Sequence, residues 1–284
     1  MRRAWWIGVL ALWCSMPSSI LAQWTEPPGS GWLNVALIHH DTRRTFDASG
    51  RVASLFNEDG RSITTSLYLT GVYGVVHGID VWVQWPVHRL QFDDVVEQRR
   101  SVGSGDPRFH VRLGPTLFGW KPRPIALRSG VKLAVGDFPI DAEVVPLTEG
   151  QVDVETLLEL GHTFGSQALY INGWIGYRWR FLNAAANRTP GDEWFVYANL
   201  GGAWRRVQWR IATEGLRGRA PLFDFSGLTL AVPSDRRRFW QIQPGLGWRL
   251  GSGVAEASVR IPLQGQNLPA GPAFMLSYFM RWAR

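Results

Sequence analysis

The chain has 284 residues, a net charge of +7, one cysteine and sixteen tryptophans. A lone cysteine cannot build a disulfide framework, which excludes the small stapled scaffolds of secreted proteins. The positive charge is carried by arginines dispersed along the chain and interleaved with Trp and Ile. There is no lysine-rich arm, so nucleic acid is not an expected partner.

The first residues read as an export leader. Met1-Arg2-Arg3 supplies the charged start, Ala4 to Met16 is almost wholly apolar, and Pro17-Ser18-Ser19 leads to a cut after Ala22. The apolar stretch is shorter than the ~20 residues a spanning helix needs. Cys14 would leave with this leader, and residues 23–284 are expected to form one β-domain.

From there the hydrophobic period is two. We predict twelve strands, over 31–40, 62–75, 79–92, 106–117, 123–135, 152–163, 168–180, 193–204, 207–217, 238–249, 254–262 and 272–283. Between 194 and 204, Trp194, Val196, Ala198, Leu200 and Trp204 share one face. Val207, Trp209 and Ile211 then alternate with Gln208, Arg210 and Ala212, and Trp240, Ile242, Leu246 and Trp248 alternate with Gln241, Gln243, Gly245 and Gly247. One greasy and one wet face follow. Pro86 and Pro244 fall inside strands and cannot donate to a ladder, so bulges or kinks are expected there.

Connections alternate in length. Long ones are expected at 41–61, 93–105, 136–151, 181–192, 218–237 and 263–271. Short ones are expected at His77-Gly78, Gly119 to Pro122, Gly165-Ser166, Arg205-Arg206 and Gly251-Ser252. Short inner turns and longer outer loops are the habit of outer-membrane barrels, and a soluble sandwich has no reason to sort loops by parity. Trp194 and Trp204 are separated by about 34 Å of strand. At a tilt of ~40° this projects to about 26 Å, against an apolar band of ~25 Å. Trp204, Trp209, Trp248 and Trp282 would form one aromatic girdle. Phe109, Trp179, Trp194, Trp240 and Phe274 would form the other. The expected fold is an all-β, twelve-stranded, antiparallel up-and-down barrel in the outer membrane.

The wet face then lines a lumen. Arg112, Arg128, Lys132, Glu155, Glu159, Arg178, Arg210 and Glu214 are the candidate lumen network, with Arg108, His110, Asp153, Arg180, Arg249, Glu256, Arg260 and Arg281 on the same face. The acidic strand sits between two basic ones, so Glu155 and Glu159 should pair with Arg128, Lys132 or Arg178. Such a network either fills the bore or forms a charged constriction that selects a solute. Inward Tyr68, Trp82, Tyr170, Trp174 and Tyr197 would narrow it.

Catalytic patterns are weak. His110 has arginine neighbours on its face and no serine at a matching spacing. In His39-His40-Asp41 adjacent side chains point to opposite faces, so the two histidines cannot easily share a metal. No metal, cofactor or enzymatic activity is expected.

From Gly103 to about Gly202 the chain resembles the family of outer-membrane transporters named for the meta-cleavage pathway of phenol degradation. The similar stretches are Gly105-Asp-Pro-Arg-Phe-His-Val-Arg-Leu-Gly114, Gly130-Val-Lys-Leu-Ala-Val-Gly-Asp-Phe138, Gly150-Gln-Val-Asp-Val-Glu-Thr-Leu-Leu-Glu-Leu-Gly161, Gly176-Tyr-Arg-Trp-Arg180 and Pro190-Gly-Asp-Glu193. Where that family more often has Pro-Thr-Gly after the lysine strand, this chain has Ala134-Val135-Gly136. The resemblance implies an outer-membrane barrel with an uptake role. The expected function is a channel or transporter for small molecules, aromatic or apolar ones included. The alternatives are a closed structural or surface-binding barrel and, third, a lipid-modifying enzyme. Expected partners are membrane lipid and lipopolysaccharide outside the barrel and a small solute within it.

Overall fold

The computed structural model describes residues 25–55, 60–95, 97–135, 138–139, 144–165, 169–225 and 228–283. The expected leader, Cys14 and the boundary at residue 22 lie outside these residues. The barrel is built from twelve strands: β1 (Gly31–Thr42), β2 (Arg61–Val76), β3 (Ile79–Asp93), β4 (Arg108–Leu113), β5 (Ile125–Lys132), β6 (Asp153–Phe164), β7 (Leu169–Arg180), β8 (Glu193–Trp204), β9 (Val207–Gly218), β10 (Arg238–Leu250), β11 (Gly253–Gln266) and β12 (Ala273–Trp282). Each pairs antiparallel with the next, and β12 pairs with β1 from Gly31↔Trp282 to His40↔Ala273, which closes the ring. Closure leaves no barrel edge with unpaired backbone groups.

Burial is inverted relative to a soluble protein. Lys132, Glu193, Asp80 and Asp153 are among the most buried side chains, each at most 1% exposed. Trp194, Ile211 and Leu246 are 53%, 54% and 65% exposed. Charged residues are almost never fully buried in soluble proteins unless paired. Here they face inward and are paired, while the expected girdle residues all stand on the outward register. A sandwich core packed with those tryptophans is excluded by this arrangement.

Turn chemistry explains the tight inner connections. Gly78 has φ +79°, and a Cβ there would lie 2.3 Å from the Leu117 backbone nitrogen, so only glycine satisfies both demands. Arg205, at φ +57°, takes the same left-handed conformation in the β8–β9 turn.

The connections differ from expectation in three places. The stretch expected as a loop over 93–105 contains a further strand, Gln98–Ser104, that continues the hairpin with β3 beyond β4. The β11 strand runs on to Gln266, which shortens the expected 263–271 loop. In both cases the alternation of apolar residues ends before the backbone pairing does, because strand projecting beyond the membrane needs no greasy face. On the other side, the β4–β5 connection is longer than Gly119 to Pro122. It spans residues 114–124 and carries a 3-10 turn at Pro115–Phe118. Loop parity is therefore a tendency here and not a strict rule. The outer loops also carry two small three-stranded sheets. One joins Arg44–Phe46, Val52–Ser54 and Leu268–Ala270; the other joins Arg188–Thr189, Leu222–Phe225 and Leu228–Ala231.

The two strand prolines behave differently. Pro86 faces the break between Gln98–Ser104 and β4, where the Gly105 N–H donates to the Pro86 carbonyl at 3.0 Å. Pro244 causes no register change: the β10–β11 shift falls at Trp240/Gln241, and the pairs on either side of Pro244 stay in step.

Leu200, outward and near the middle of β8, tests the lipid-facing assignment. Leu200→Arg is expected to destabilise the barrel in vesicles by about 2–4 kcal/mol, read from urea unfolding followed by tryptophan fluorescence. An unchanged midpoint would place that face elsewhere.

Candidate functional site: a charged lumen beside an open cavity

The inward side chains divide the lumen into two unlike arcs. Across β3 to β8 they are large and charged. Glu155 on β6 takes Arg178 Nε at 2.7 Å and His110 Nε2 at 3.2 Å, with Arg108 at 3.9 Å. Glu159, two inward positions further along β6, lies 2.9 Å from Arg128 Nε and 3.4 Å from Arg112 Nε, and Arg112 continues to Asp80 at 3.4 Å. The Arg128 guanidinium also lies over the Trp82 and Trp174 rings, 5.1 and 5.6 Å from their centroids. Register brings these groups together: Arg112↔Arg128, Arg128↔Leu157, and Glu155↔Arg178 are cross-strand partners. Two like charges directly opposite each other, Arg112 and Arg128, are tolerated because Glu159 reaches both.

At the outer end the network continues into the loops. Lys132 Nζ contacts Glu149 at 2.6 Å, Asp153 at 3.0 Å and Asp106 at 3.3 Å. Glu193 takes Arg178 Nη1 at 2.6 Å, Arg180 Nη1 at 3.2 Å and Arg237 Nη2 at 2.6 Å. Glu149, in the β5–β6 connection, also holds Arg180 at 2.8 Å and Arg237 at 3.1 Å. Arg237 belongs to the β9–β10 connection, so Glu149 ties two outer loops to the barrel wall. Burial alone would raise the Glu149 carboxyl, but Arg237, Arg180 and Lys132 hold it well below its ordinary value.

At the inner end the segment Thr25 to Ser30 packs across the rim. The Glu26 N–H donates to Asp80 Oδ2 at 2.9 Å, and Arg281 from β12 donates to Glu26 Oε2 at 2.8 Å. Gly29 and Ser30 exchange backbone hydrogen bonds with Gly74.

The second arc, β9 to β12 with β1, is built differently. Its inward positions include Ala36, Ala212, Gly245, Gly247, Ser258 and Ser277, which are too small to reach the axis. A cavity of about 660 Å³ lies between this arc and the ends of β6 and β7, lined by Trp32, Asn34, Tyr170, Asn172, Arg210 and Glu256 among others. Arg210 grips Glu256 with Nε at 2.9 Å from both carboxylate oxygens and Nη2 at 2.7 Å from one of them. Its Nη1 approaches the Tyr197 hydroxyl at 3.4 Å, and Tyr197 stacks on Trp174 with centroids 4.0 Å apart.

All eight candidate network residues therefore face the lumen, but not as one cluster. Arg112, Arg128, Glu155, Glu159 and Arg178 join in the charged arc. Lys132 pairs with Asp106, Glu149 and Asp153 and not with Glu155 or Glu159, because its register partner is Asp153. Arg210 stands apart with Glu256, and Glu214 accepts from Gln241 Nε2 at 2.7 Å. Sequence reading passed over Asp80 and Glu193, although both lie on the inward alternation of their strands. Asp106, Glu149 and Arg237 lie in connections, where no period marks them. His39 faces outward and bonds Thr65 at 2.9 Å, while His40 faces inward, so the two do not converge.

The loop tie makes a pH prediction. A carboxyl depressed in the folded state adds stability that is complete above its unfolded value, near 4.5, and is lost as pH falls through the folded value. The stability gap between the wild type and Glu149→Gln should hold constant from neutral pH down to the ordinary glutamate range and shrink only in stronger acid. Urea unfolding across that range checks it; a gap that closes at mildly acidic pH contradicts it.

No protein-family model matches the chain, and no curated protein matches it in sequence. Among solved structures, an outer-membrane channel from Pseudomonas putida superposes with a TM-score of 0.70 at 14% identity, over 94% of this chain and 99% of that one. The β domain of a Bordetella autotransporter is similar with a TM-score of 0.48 at 9% identity, over 89% of this chain and 100% of that one. The channel from Pseudomonas putida shows the fold: the chain forms a closed twelve-stranded barrel of the outer-membrane type.

Proposed function

We propose that this barrel is a narrow outer-membrane channel that passes small solutes through this cavity, with the charged arc as its fixed wall. The observation that carries the reading is a cavity of about 660 Å³ inside the barrel, lined by residues of β1, β6, β7, β9, β11 and β12. A barrel with a purely structural role has no need to leave part of its bore unfilled, and twelve strands enclose less space than open porins do. The carboxylates and guanidinia of the charged arc neutralise one another, so they line the path without trapping a charged solute. Trp32, Tyr170 and Phe279 add flat apolar surface to the polar lining. That mixture suits small molecules with a ring and a polar group, in keeping with the resemblance to transporters linked with aromatic compounds.

A sealed barrel is the second reading, favoured by the Glu149–Arg237–Glu193 cluster at the outer mouth. Planar-bilayer recording separates the two. The channel reading predicts discrete conductance steps, raised roughly twofold by Arg210→Ala/Glu256→Ala because the pair is removed from the wall of a narrow path. It also predicts uptake of a small aromatic acid into liposomes. Silence from both proteins supports the sealed barrel. Conductance without aromatic uptake keeps the channel and removes the solute class.

A further inference from the structure

The outward face of β7 to β11 carries a feature the lumen does not use. Near the long-loop rim, Tyr177, Trp194, Arg217, Arg238 and Gln266 form one row of register partners across five strands. Arg217 and Arg238 stand directly opposite each other on neighbouring strands, and both are exposed. Like charges so placed repel. Among the described residues neither has a carboxylate or a hydrogen-bond partner, whereas other arginines on the long-loop side do, Arg61 with Asp41 and Arg99 with Asp94 among them.

One register step toward the membrane centre, Ile175, Val196, Gly215, Trp240 and Gln264 form the next row. Gly215 is buried because the Trp240 ring lies on it; a Cβ at residue 215 would fall 2.4 Å from that ring. Beside that ring lies an outward groove of about 370 Å³ between Trp194 and Trp240, with Arg217 and Arg238 at its upper end. An apolar groove lies at lipid depth below two unmatched guanidinia at the interface.

We infer that this groove is a binding site for lipid A, the anchor of lipopolysaccharide. One acyl chain would lie against Ile175 and Val196 between the two tryptophans, and a glucosamine phosphate would bridge Arg217 and Arg238. The long loops mark this rim as the outer one, and the outer leaflet is where lipid A supplies phosphate at headgroup level. Arginine forks match phosphate oxygens in pairs, so a bridging phosphate turns the repulsion between the two side chains into attraction to both. Basic pockets beside aromatic belts hold anionic headgroups by the same chemistry. The inference is independent of whether the lumen conducts.

Native mass spectrometry of the detergent-purified full barrel tests it, with bisphosphorylated lipid A, lipid A stripped of both phosphates, phosphatidylglycerol and inorganic phosphate as separate probes. Wild-type protein should retain bisphosphorylated lipid A, and Arg217→Ser/Arg238→Ser should bind it about tenfold or more weakly. The dephosphorylated lipid should not distinguish the two proteins. Arg205→Ser/Arg206→Ser, on the inner turn, should bind as wild type does, and heat-modifiable gel mobility reports that each variant is folded. Should the serine variant fail to fold, Arg217→Lys/Arg238→Lys keeps the charge, removes the forks and should still weaken binding. Unchanged lipid A affinity in the folded variant overturns the inference. So does equal affinity for phosphatidylglycerol, or displacement of lipid A by inorganic phosphate, which would mean an unselective anion site.

Discussion

Hydrocarbon offers no hydrogen bonds, and that single constraint organises the molecule. A strand in lipid must pair on both sides along its length, so the chain closes its ring by joining β12 to β1. Once the backbone is satisfied in this way, the side-chain period of two makes every strand a border between lipid and lumen. Leu200 and Asn199 are neighbours in sequence, yet one faces acyl chains and the other the polar interior. The inverted burial follows directly, with lysine and glutamate inside and tryptophan outside.

The lumen shows how charge can be enclosed in such a frame. Removing one partner from a buried ion pair is far more costly than exchanging both for apolar groups, so the charges come as an interlocked set. Glu155 serves Arg178 and His110, Glu159 serves Arg128 and Arg112, and Glu193 serves three arginines. These large side chains crowd β3 to β8, while on the other arc small residues such as Ala212, Gly245 and Ser258 stand among Arg210, Glu256 and Arg281. The cavity lies between the two, lined by residues of β6 and β7 as well as of β1, β9, β11 and β12. On the outer surface Gly215 makes room for the Trp240 ring.

Much of this was legible in the chain because alternation is a local signal. Trp194, Leu200 and Trp204 declare the lipid face of β8 without reference to any partner, and β8 is found over the expected residues. Arg112, Arg128 and Glu159 could be placed inward by the same count. Which charges meet was harder, since pairing depends on stagger between strands: Lys132 meets Asp153 because of a register that no single strand encodes. Least legible were Glu149 and Arg237. They act from irregular connections, and their pairing joins residues far apart in sequence. The continuation of β11 and of the β3 hairpin beyond the greasy band was hidden for a related reason, because backbone pairing outside lipid leaves no trace in hydropathy.

The central claim is that successive side chains of one strand alternate between lipid and lumen. Cys14 is the one cysteine in the chain, so nitroxide labels introduced singly along β8 from residue 194 to 200, in a Cys14-free background, report this directly. In vesicles the account predicts that labels at 194, 196, 198 and 200 respond to oxygen dissolved in the bilayer, while those at 195, 197 and 199 are shielded from it. Uniform protection along the strand, or oxygen access with no alternation, would contradict it.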